Sequence, residues 1–145
     1  MDQKEGFGAR AVVHDFYENI RQTRLVSDYC HSCGDITVEG ELGTVSGVED
    51  QISVAEDEAS LCPPEEALEF LEKTDIDLFA PAIGTAHGVY RTENPKIDFD
   101  RFEKINQLLN GKTLKTPLVV HGGTGLKPEV VKKLVSLGGA KFNVS

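Results

Sequence analysis

Two kinds of apolar pattern alternate along this chain. Four stretches carry apolar residues at the three- and four-residue spacing of an amphipathic helix, as at Phe99, Phe102 and Ile105. Between them lie short, nearly unbroken apolar runs at 76–83 and 118–120, which are typical of strands buried on both faces of a parallel sheet. The pattern predicts the order α-β-α-β-α-β-α-β, a parallel sheet with right-handed crossovers.

Capping residues predict where these helices begin and end. Asp15 and Asp98 are candidate N-caps, and prolines at 63–64 and at 128 are typical of a first helical turn. Glycines at 34, 111 and 138–139 are expected to end helices. The residues expected to face inward are Phe16, Ile20, Thr23, Val26 and Cys30, then Ala67, Leu68, Phe70 and Leu71, then Phe99, Phe102, Ile105, Leu108 and Leu109, and finally Val130, Val131, Leu134 and Val135.

Two segments depart from this simple alternation. In the predicted strand 36–42, Glu39 and Glu41 stand two residues apart and so share one face. Carboxylates facing into a sheet are costly without partners, which indicates a functional role. The segment 43–61 has little periodicity and several acidic residues, so we expect a long loop; such loops in compact domains are usually functional or disordered.

Composition narrows the range of partners. The 145 residues carry a net charge of −9, which argues against binding to nucleic acid or to an anionic membrane, because both require clustered Lys and Arg. A small anionic ligand is still compatible, since backbone amides and a metal supply positive potential locally. No apolar run approaches the roughly 18 residues of a membrane span, and the first residues lack a signal-peptide core, so a cytoplasmic location is expected.

The three cysteines fit a reducing compartment. Cys30 and Cys33 could form half of a zinc knuckle, but such a site needs two further ligands, and Cys62 and His14 lie far away in sequence. Two ordinary thiols at a helix end are the favoured interpretation.

Two histidines occupy equivalent places in the repeating pattern. His87 and His121 each follow an apolar run, and each precedes a glycine. Ligands gather where parallel strands end, so this pair is a candidate for metal ligation. The following glycines would let backbone N–H groups approach an anion, although a plain turn is the favoured interpretation of Gly-Gly-Thr-Gly in isolation.

Five short motifs resemble those of the class II (zinc-dependent) fructose-bisphosphate and tagatose-bisphosphate aldolases. They occur in the family's order at 38–43, 47–50, 84–90, 121–125 and 141–144. The resemblance extends from about residue 16 to 145, whereas residues 1–13 match poorly. It implies one incomplete domain, 1–145, that forms a partial TIM (β/α)₈ barrel of about four parallel strands with intervening helices, since a complete barrel needs roughly 200 or more residues.

The resemblance also implies an activity and a set of site residues. Members reversibly cleave a ketose 1,6-bisphosphate (fructose or tagatose) to dihydroxyacetone phosphate and glyceraldehyde 3-phosphate, a lyase reaction of glycolysis and carbohydrate metabolism. By position, His87 and His121 match zinc ligands, Glu41 matches a site for a second divalent or a monovalent cation, and Glu49 matches a catalytic proton-transfer residue. The implied substrate-binding residues are Gly88, Arg91, Gly122, Gly123, Thr124, Asn143 and Ser145.

Some features depart from the family pattern and keep alternatives open. The family's Asp-His pair, which supplies a third zinc histidine and the proton donor, has no counterpart, because His14-Asp15 has the reverse order. Lys141 raises a rival Schiff-base chemistry, although an ion-paired lysine is favoured. The second hypothesis is a non-catalytic aldolase remnant that at most binds metal or phosphate. The open, apolar edges of a four-stranded sheet further predict a homo-oligomer.

Overall fold

The structure of the protein is a computed structural model. It describes residues 16–44, 46–49, 52–54, 60–87, 90, 95–112 and 114–144, and for 46–49, 52–54 and 87 the backbone alone. Within these residues the helices are α1 (Phe16–Ser32), α2 (Pro64–Thr74), α3 (Phe99–Gly111) and α4 (Pro128–Ser136). The strands are β1 (Glu39–Leu42), β2 (Ser46–Glu49), β3 (Ile52–Val54), β4 (Leu78–Pro81), β5 (Ala86–His87), β6 (Leu118–Val120) and β7 (Gly139–Phe142).

The main sheet has the strand order β1-β4-β6-β7, and every neighbouring pair is parallel. The register places Glu41 opposite Ala80 and Val120 opposite Phe142. Because the chain alternates between strand and helix, each crossover carries one helix, and all carboxyl ends of the strands meet at one edge of the sheet. The predicted α/β order with four parallel strands is confirmed.

The hydrophobic core lies between the helices and one face of this sheet. Phe70, Phe79, Phe102 and Leu134 have no exposed surface, and the rings of Phe70 and Phe79 lie 5.9 Å apart, centre to centre. A side chain at Gly40 would collide with Ile76 and press against Phe70, so this position of β1 faces the helices. The residues on either side of it, both glutamates, therefore face the opposite, concave surface.

Local chemistry explains the helix ends. The Asp98 side chain accepts a hydrogen bond of 2.9 Å from the backbone N–H of Arg101, as the sequence predicts for an N-cap of α3. Helix α2 begins at Pro64, whose missing N–H costs nothing in the first turn. It ends at Thr74, and the following residue, Asp75, adopts the left-handed conformation with φ 56° that glycine usually occupies.

The structure corrects several details of the predicted elements. The expected loop at 43–61 contains a short antiparallel hairpin of β2 and β3, and β2 also pairs in parallel with β5. Strand β7 begins at Gly139, which the sequence pattern assigns to a helix stop. The predicted strands at 36–42 and 76–83 are shorter than expected, because only the last four residues of the first and the middle four of the second pair with neighbouring strands.

Two apolar residues predicted to face inward are exposed instead. Val26 on α1 and Val135 on α4 expose 52% and 53% of their surface. Helix α1 packs against α2, and its buried residues are Ile20 and Ser27, which form a narrow stripe. Helical spacing therefore identified the elements correctly but overestimated the width of their buried faces.

Candidate active site

The two segments that carry the histidines lie in close backbone contact. Gly122 adopts φ +65°, and a Cβ at this position would collide with the backbone of Ala86. The hydroxyl of Tyr90 donates a 2.6 Å hydrogen bond to the Gly122 carbonyl and accepts one of 3.2 Å from the Ala86 N–H. Because Ala86 precedes His87 and Gly122 follows His121, these turns lie side by side although 34 residues separate the histidines.

Tyr90 is well suited to hold this junction. Burial raises the pKa of its hydroxyl above the ordinary value, and the hydrogen bond from the Ala86 N–H offsets this only in part. The hydroxyl therefore stays protonated at neutral pH and can donate to the Gly122 carbonyl. Sequence reasoning assigned Tyr90 no role, although it ends the motif at 84–90.

The hairpin brings a second candidate segment to the same edge. The backbone of His87 in β5 pairs with Gly47 of β2, and Glu49 lies two residues further along β2. The structure describes the backbone of His87 and Glu49, not their side chains. Three more of the residues suggested by the family resemblance, Gly88, Arg91 and Ser145, lie outside the described residues.

His121 lies at the carboxyl end of β6, over the concave face of the sheet. Its side chain is 13% exposed, and its Nε2 lies 2.8 Å from Oε1 of Glu39. Its Nδ1 lies 3.7 Å from Oε2 of Glu41, which is one-third exposed. Both carboxylates come from β1, two positions away in the sheet. The shared face that the sequence predicts for these glutamates is thus the face on which His121 lies.

Glu39 is the centre of a polar network on this face. Lys141 donates to its Oε2 at 2.6 Å, and the amide of Asn143 donates to its Oε1 at 3.1 Å. Lys141 also donates to the Asn143 side-chain oxygen at 2.8 Å. Burial by itself would raise the pKa of Glu39, but the hydrogen bonds from Lys141, His121 and Asn143 outweigh it and lower that pKa. Glu39 is therefore a carboxylate at neutral pH.

The contact between Glu39 and Lys141 also reports the curvature of the sheet. Their strands, β1 and β7, are the two ends of the four-stranded sheet. In a flat sheet, three interstrand spacings of about 4.8 Å would put the backbones of β1 and β7 roughly 14 Å apart. Because the side chains meet at 2.6 Å, the sheet curls around this polar face. Lys141 is ion-paired and 47% exposed, so it is not the desolvated lysine that Schiff-base chemistry requires.

The glycine turn after His121 is fixed from the last strand. The N–H of Gly123 donates a 2.8 Å hydrogen bond to the carbonyl of Asn143, and a Cβ here would lie 2.9 Å from that oxygen. Thr124 follows in the same turn. Of the residues suggested by the resemblance, the structure brings together at this end of the sheet Glu41, His121, Gly122, Gly123, Thr124 and Asn143. Glu39 joins them, although sequence reasoning recognised only its shared face.

The side chains that the structure describes do not by themselves form a metal site. In that part of the chain, which does not include the side chain of His87, no group of three or more His, Cys, Asp and Glu residues could hold a metal ion. His121 and Glu41 nevertheless supply the imidazole and carboxylate donors that zinc accepts. Cys30 and Cys33 carry free thiols at the end of α1, in keeping with the helix-end interpretation.

Comparison with known proteins decides the family. The sequence profile of class II fructose-bisphosphate aldolases matches residues 11–145. This chain belongs to the class II fructose-bisphosphate aldolase family. The family assignment made from the sequence motifs is confirmed.

Solved structures support this class II aldolase assignment. A Coccidioides immitis protein provisionally described as a fructose-1,6-bisphosphate aldolase is 35% identical, with a TM-score of 0.78 over 90% of this chain. The YdjI aldolase of Escherichia coli K12 is 36% identical, with a TM-score of 0.69 over 92% of this chain. The fructose-bisphosphate aldolase of Campylobacter jejuni, at 23% identity and a TM-score of 0.66 over 90% of this chain, shares the fold.

The aldolase chain spans less than half of these proteins: 44%, 42% and 39% of their respective lengths. The four curled parallel strands therefore correspond to part of a TIM barrel, and the predicted partial barrel is confirmed. Among the helices that the structure describes, none combines the length and apolarity needed to cross a membrane.

Proposed function

We propose that this chain carries part of the active site of a zinc-dependent ketose-bisphosphate aldolase. The reaction is reversible cleavage of fructose or tagatose 1,6-bisphosphate to dihydroxyacetone phosphate and glyceraldehyde 3-phosphate. The observation that carries the proposal is the junction of Gly122 and Tyr90 with Ala86, because it sets two histidine-bearing turns side by side at the carboxyl ends of parallel strands. In barrel enzymes the chemistry takes place at that end.

His87 and His121 are the proposed zinc ligands. Glu41, 3.7 Å from His121, is the proposed ligand for a second divalent or a monovalent cation. A bound zinc ion supplies Lewis-acid polarisation of a ketone oxygen, which makes the adjacent carbon more acidic. The low exposure of His121 supports this role, since exclusion of water strengthens electrostatic interactions in a site.

The remaining residues are proposed to hold the substrate and move its proton. Glu49 is the proposed proton-transfer residue. The phosphorylated ketose end would be bound by Gly88, Arg91, Gly122, Gly123, Thr124, Asn143 and Ser145. The support for this set is the closeness of the turn at 121–125 to the end of β7, where Gly123 and Asn143 are hydrogen-bonded to each other. Backbone N–H groups and the Arg91 guanidinium are the donors that phosphate prefers.

A coupled assay of fructose 1,6-bisphosphate and tagatose 1,6-bisphosphate cleavage tests the proposal. We expect turnover that a chelator abolishes and added zinc restores, and we expect His121→Ala to remove it. His31→Ala is a matched control, because His31 contacts Asp77 just before β4 begins, at the opposite end of the sheet. Zinc-loaded, folded protein without turnover of either substrate would rule out cleavage by this chain and leave the non-catalytic alternative.

A second candidate function is that of a non-catalytic chain that binds metal or phosphate. It is favoured because groups that could bind a ligand are already hydrogen-bonded within the protein. Among the described residues these are His121 Nε2 and the Gly123 N–H. Zinc titration distinguishes the two candidates: the second is supported by zinc binding without turnover. Absence of binding at micromolar zinc would exclude the zinc-dependent aldolase and the metal-binding form of the second candidate, and phosphate titration then tests what remains of it.

We also propose a cytoplasmic homo-oligomer. Within the described residues, β1 and β7 each pair with one strand of the main sheet, and an unpaired strand edge favours association. Sedimentation measurements over a range of protein concentrations test this, and a monomer throughout that range would contradict it.

A further inference from the structure

Two of the side chains that contact Glu39 can only donate to it. The ammonium of Lys141 lies 2.6 Å from Oε2, and the side-chain amide nitrogen of Asn143 lies 3.1 Å from Oε1. Neither nitrogen has a lone pair to offer as an acceptor. Both Glu39 oxygens therefore accept hydrogen bonds, and the Lys141 ammonium at 2.6 Å favours the ionised carboxylate over the acid form that could donate to His121.

This arrangement dictates the state of the His121 ring. Nε2 of His121 lies 2.8 Å from Oε1 of Glu39, a distance that requires a hydrogen between the two atoms. Because Glu39 accepts, the hydrogen belongs to Nε2. In a neutral imidazole only one nitrogen carries hydrogen, so the lone pair is on Nδ1, the atom on the Glu41 side of the ring.

We infer that Glu39 is a positioning residue that holds His121 as the Nε2–H tautomer and orients its ring so that Nδ1 faces a metal. The metal itself rests on the proposed function, whereas the tautomer does not. Metal-ligating histidines commonly donate their other N–H to a carboxylate, which fixes the ring and increases the basicity of the ligating nitrogen.

Lys141 and Asn143 support Glu39 from the opposite edge of the sheet. Because Lys141 lies on β7 and Glu39 on β1, this contact requires the curled sheet. Lys141 also neutralises one of the two carboxylates beside His121. The two glutamates thus differ in their contacts. Glu39 is hydrogen-bonded to His121 Nε2 and to Lys141, whereas Glu41 lies 3.7 Å from His121 Nδ1.

Nitrogen NMR of the metal-free protein, labelled with ¹⁵N in histidine, tests the inference directly. At about pH 8, where an ordinary imidazole is neutral, long-range proton–nitrogen spectra should show His121 protonated on Nε2. Glu39→Ala should give a mixture of the two tautomers, and Glu39→Gln should retain part of the preference, because its amide oxygen still accepts. Glu41→Gln is the matched control and should leave the tautomer unchanged.

Zinc titration gives the second measurement. Loss of such a carboxylate partner typically costs about 10- to 100-fold in metal affinity, and we expect this loss for Glu39→Ala and a smaller one for Glu39→Gln. Thermal unfolding of each variant establishes that it is folded. His121 protonated on Nδ1 in the unaltered protein would overturn the inference, as would a Glu39→Ala spectrum identical to it. An Nε2–H tautomer in folded protein that binds no zinc would support the role of Glu39 and refute the proposed zinc chemistry.

Discussion

The Tyr90 hydroxyl donates a 2.6 Å hydrogen bond to the carbonyl oxygen of Gly122 and so links two turns that lie at the ends of different strands. The same hydroxyl accepts from the N–H of Ala86, so one side chain satisfies a backbone donor and a backbone acceptor. Both turns carry a histidine of the candidate site. The spacing of those histidines thus depends on a residue that need not touch substrate or metal.

Tyr90→Phe is expected to loosen this junction while preserving the ring. Leaving partly buried backbone groups without their partner costs about 1–3 kcal/mol, so the free energy of unfolding should fall by that amount. Zinc affinity should fall with it, since His87 and His121 would no longer be held at a fixed separation. Chemical denaturation and zinc titration measure the two effects. Stability and affinity equal to those of the unaltered protein would show that the hydroxyl is not a structural link.

Gly122→Ala is expected to destabilise the protein more than the addition of one methyl group usually does. The new methyl would collide with the Ala86 backbone, and φ +65° is unfavourable for alanine. We expect a loss of about 1–3 kcal/mol or more together with loss of zinc binding. Gly111→Ala is the matched control, because a Cβ there meets nothing within 4 Å, and it should be neutral or stabilising. Equal stability of the two variants would contradict the close approach of the turns.

The sequence predicts best those elements whose pattern is long and local. The inward face of α2 at Ala67, Phe70 and Leu71 is buried as expected, because eleven residues are enough to show helical periodicity. The bounds of β6 are also as predicted. The hairpin of β2 and β3 was missed because its strands have four and three residues, too few for a strand period. The hairpin is completed by the pairing of β2 with β5, a partner distant in sequence.

In the candidate site, too, local features could be predicted from the sequence and contacts between distant residues could not. The shared face of Glu39 and Glu41 is a local property of an alternating strand, and the sequence alone predicts it. The contact of Glu39 with Lys141 is not local, since 102 residues separate them and it forms only because the sheet curls. Motif resemblance suggested Asn143 as a site residue, but its bond to Glu39 could be found only in three dimensions.

Thiol labelling is expected to distinguish Cys33 from Cys62 sharply. Cys62 has no exposed surface, and burial raises its pKa to about 12, so it is neither accessible nor ionised in the folded state. Cys33 is exposed. At about pH 8 an alkylating reagent should modify Cys33 rapidly and Cys62 only after unfolding. Mass spectrometry of peptides from native and denatured protein measures both rates, and rapid native labelling of Cys62 would contradict the described core.

The contact between His31 and Asp77 should make stability depend on pH. His31 Nε2 lies 2.9 Å from the Asp77 carboxylate, which also accepts from the Val38 N–H. The hydrogen bond with Asp77 raises the pKa of His31 above 6.5. The bonds from Val38, first, and His31 lower the pKa of Asp77 below 3.8. A raised histidine pKa contributes stability below 6.5 that is lost as pH rises through the raised value.

A lowered aspartate pKa contributes stability above 3.8 that is lost as pH falls through the lowered value. The pair therefore stabilises the protein between these two folded-state values. We expect His31→Gln to lower Tm by about 1–3 °C near pH 6 and by nothing measurable near pH 9, since the pair is solvent-exposed. In an Asp77→Asn background the difference between the two pH values should shrink, because only the longer contact of His31 Nδ1 with Asp75, at 3.8 Å, remains. An equal decrease at both pH values in the unaltered background would mean that His31 contributes through packing and not through its charge.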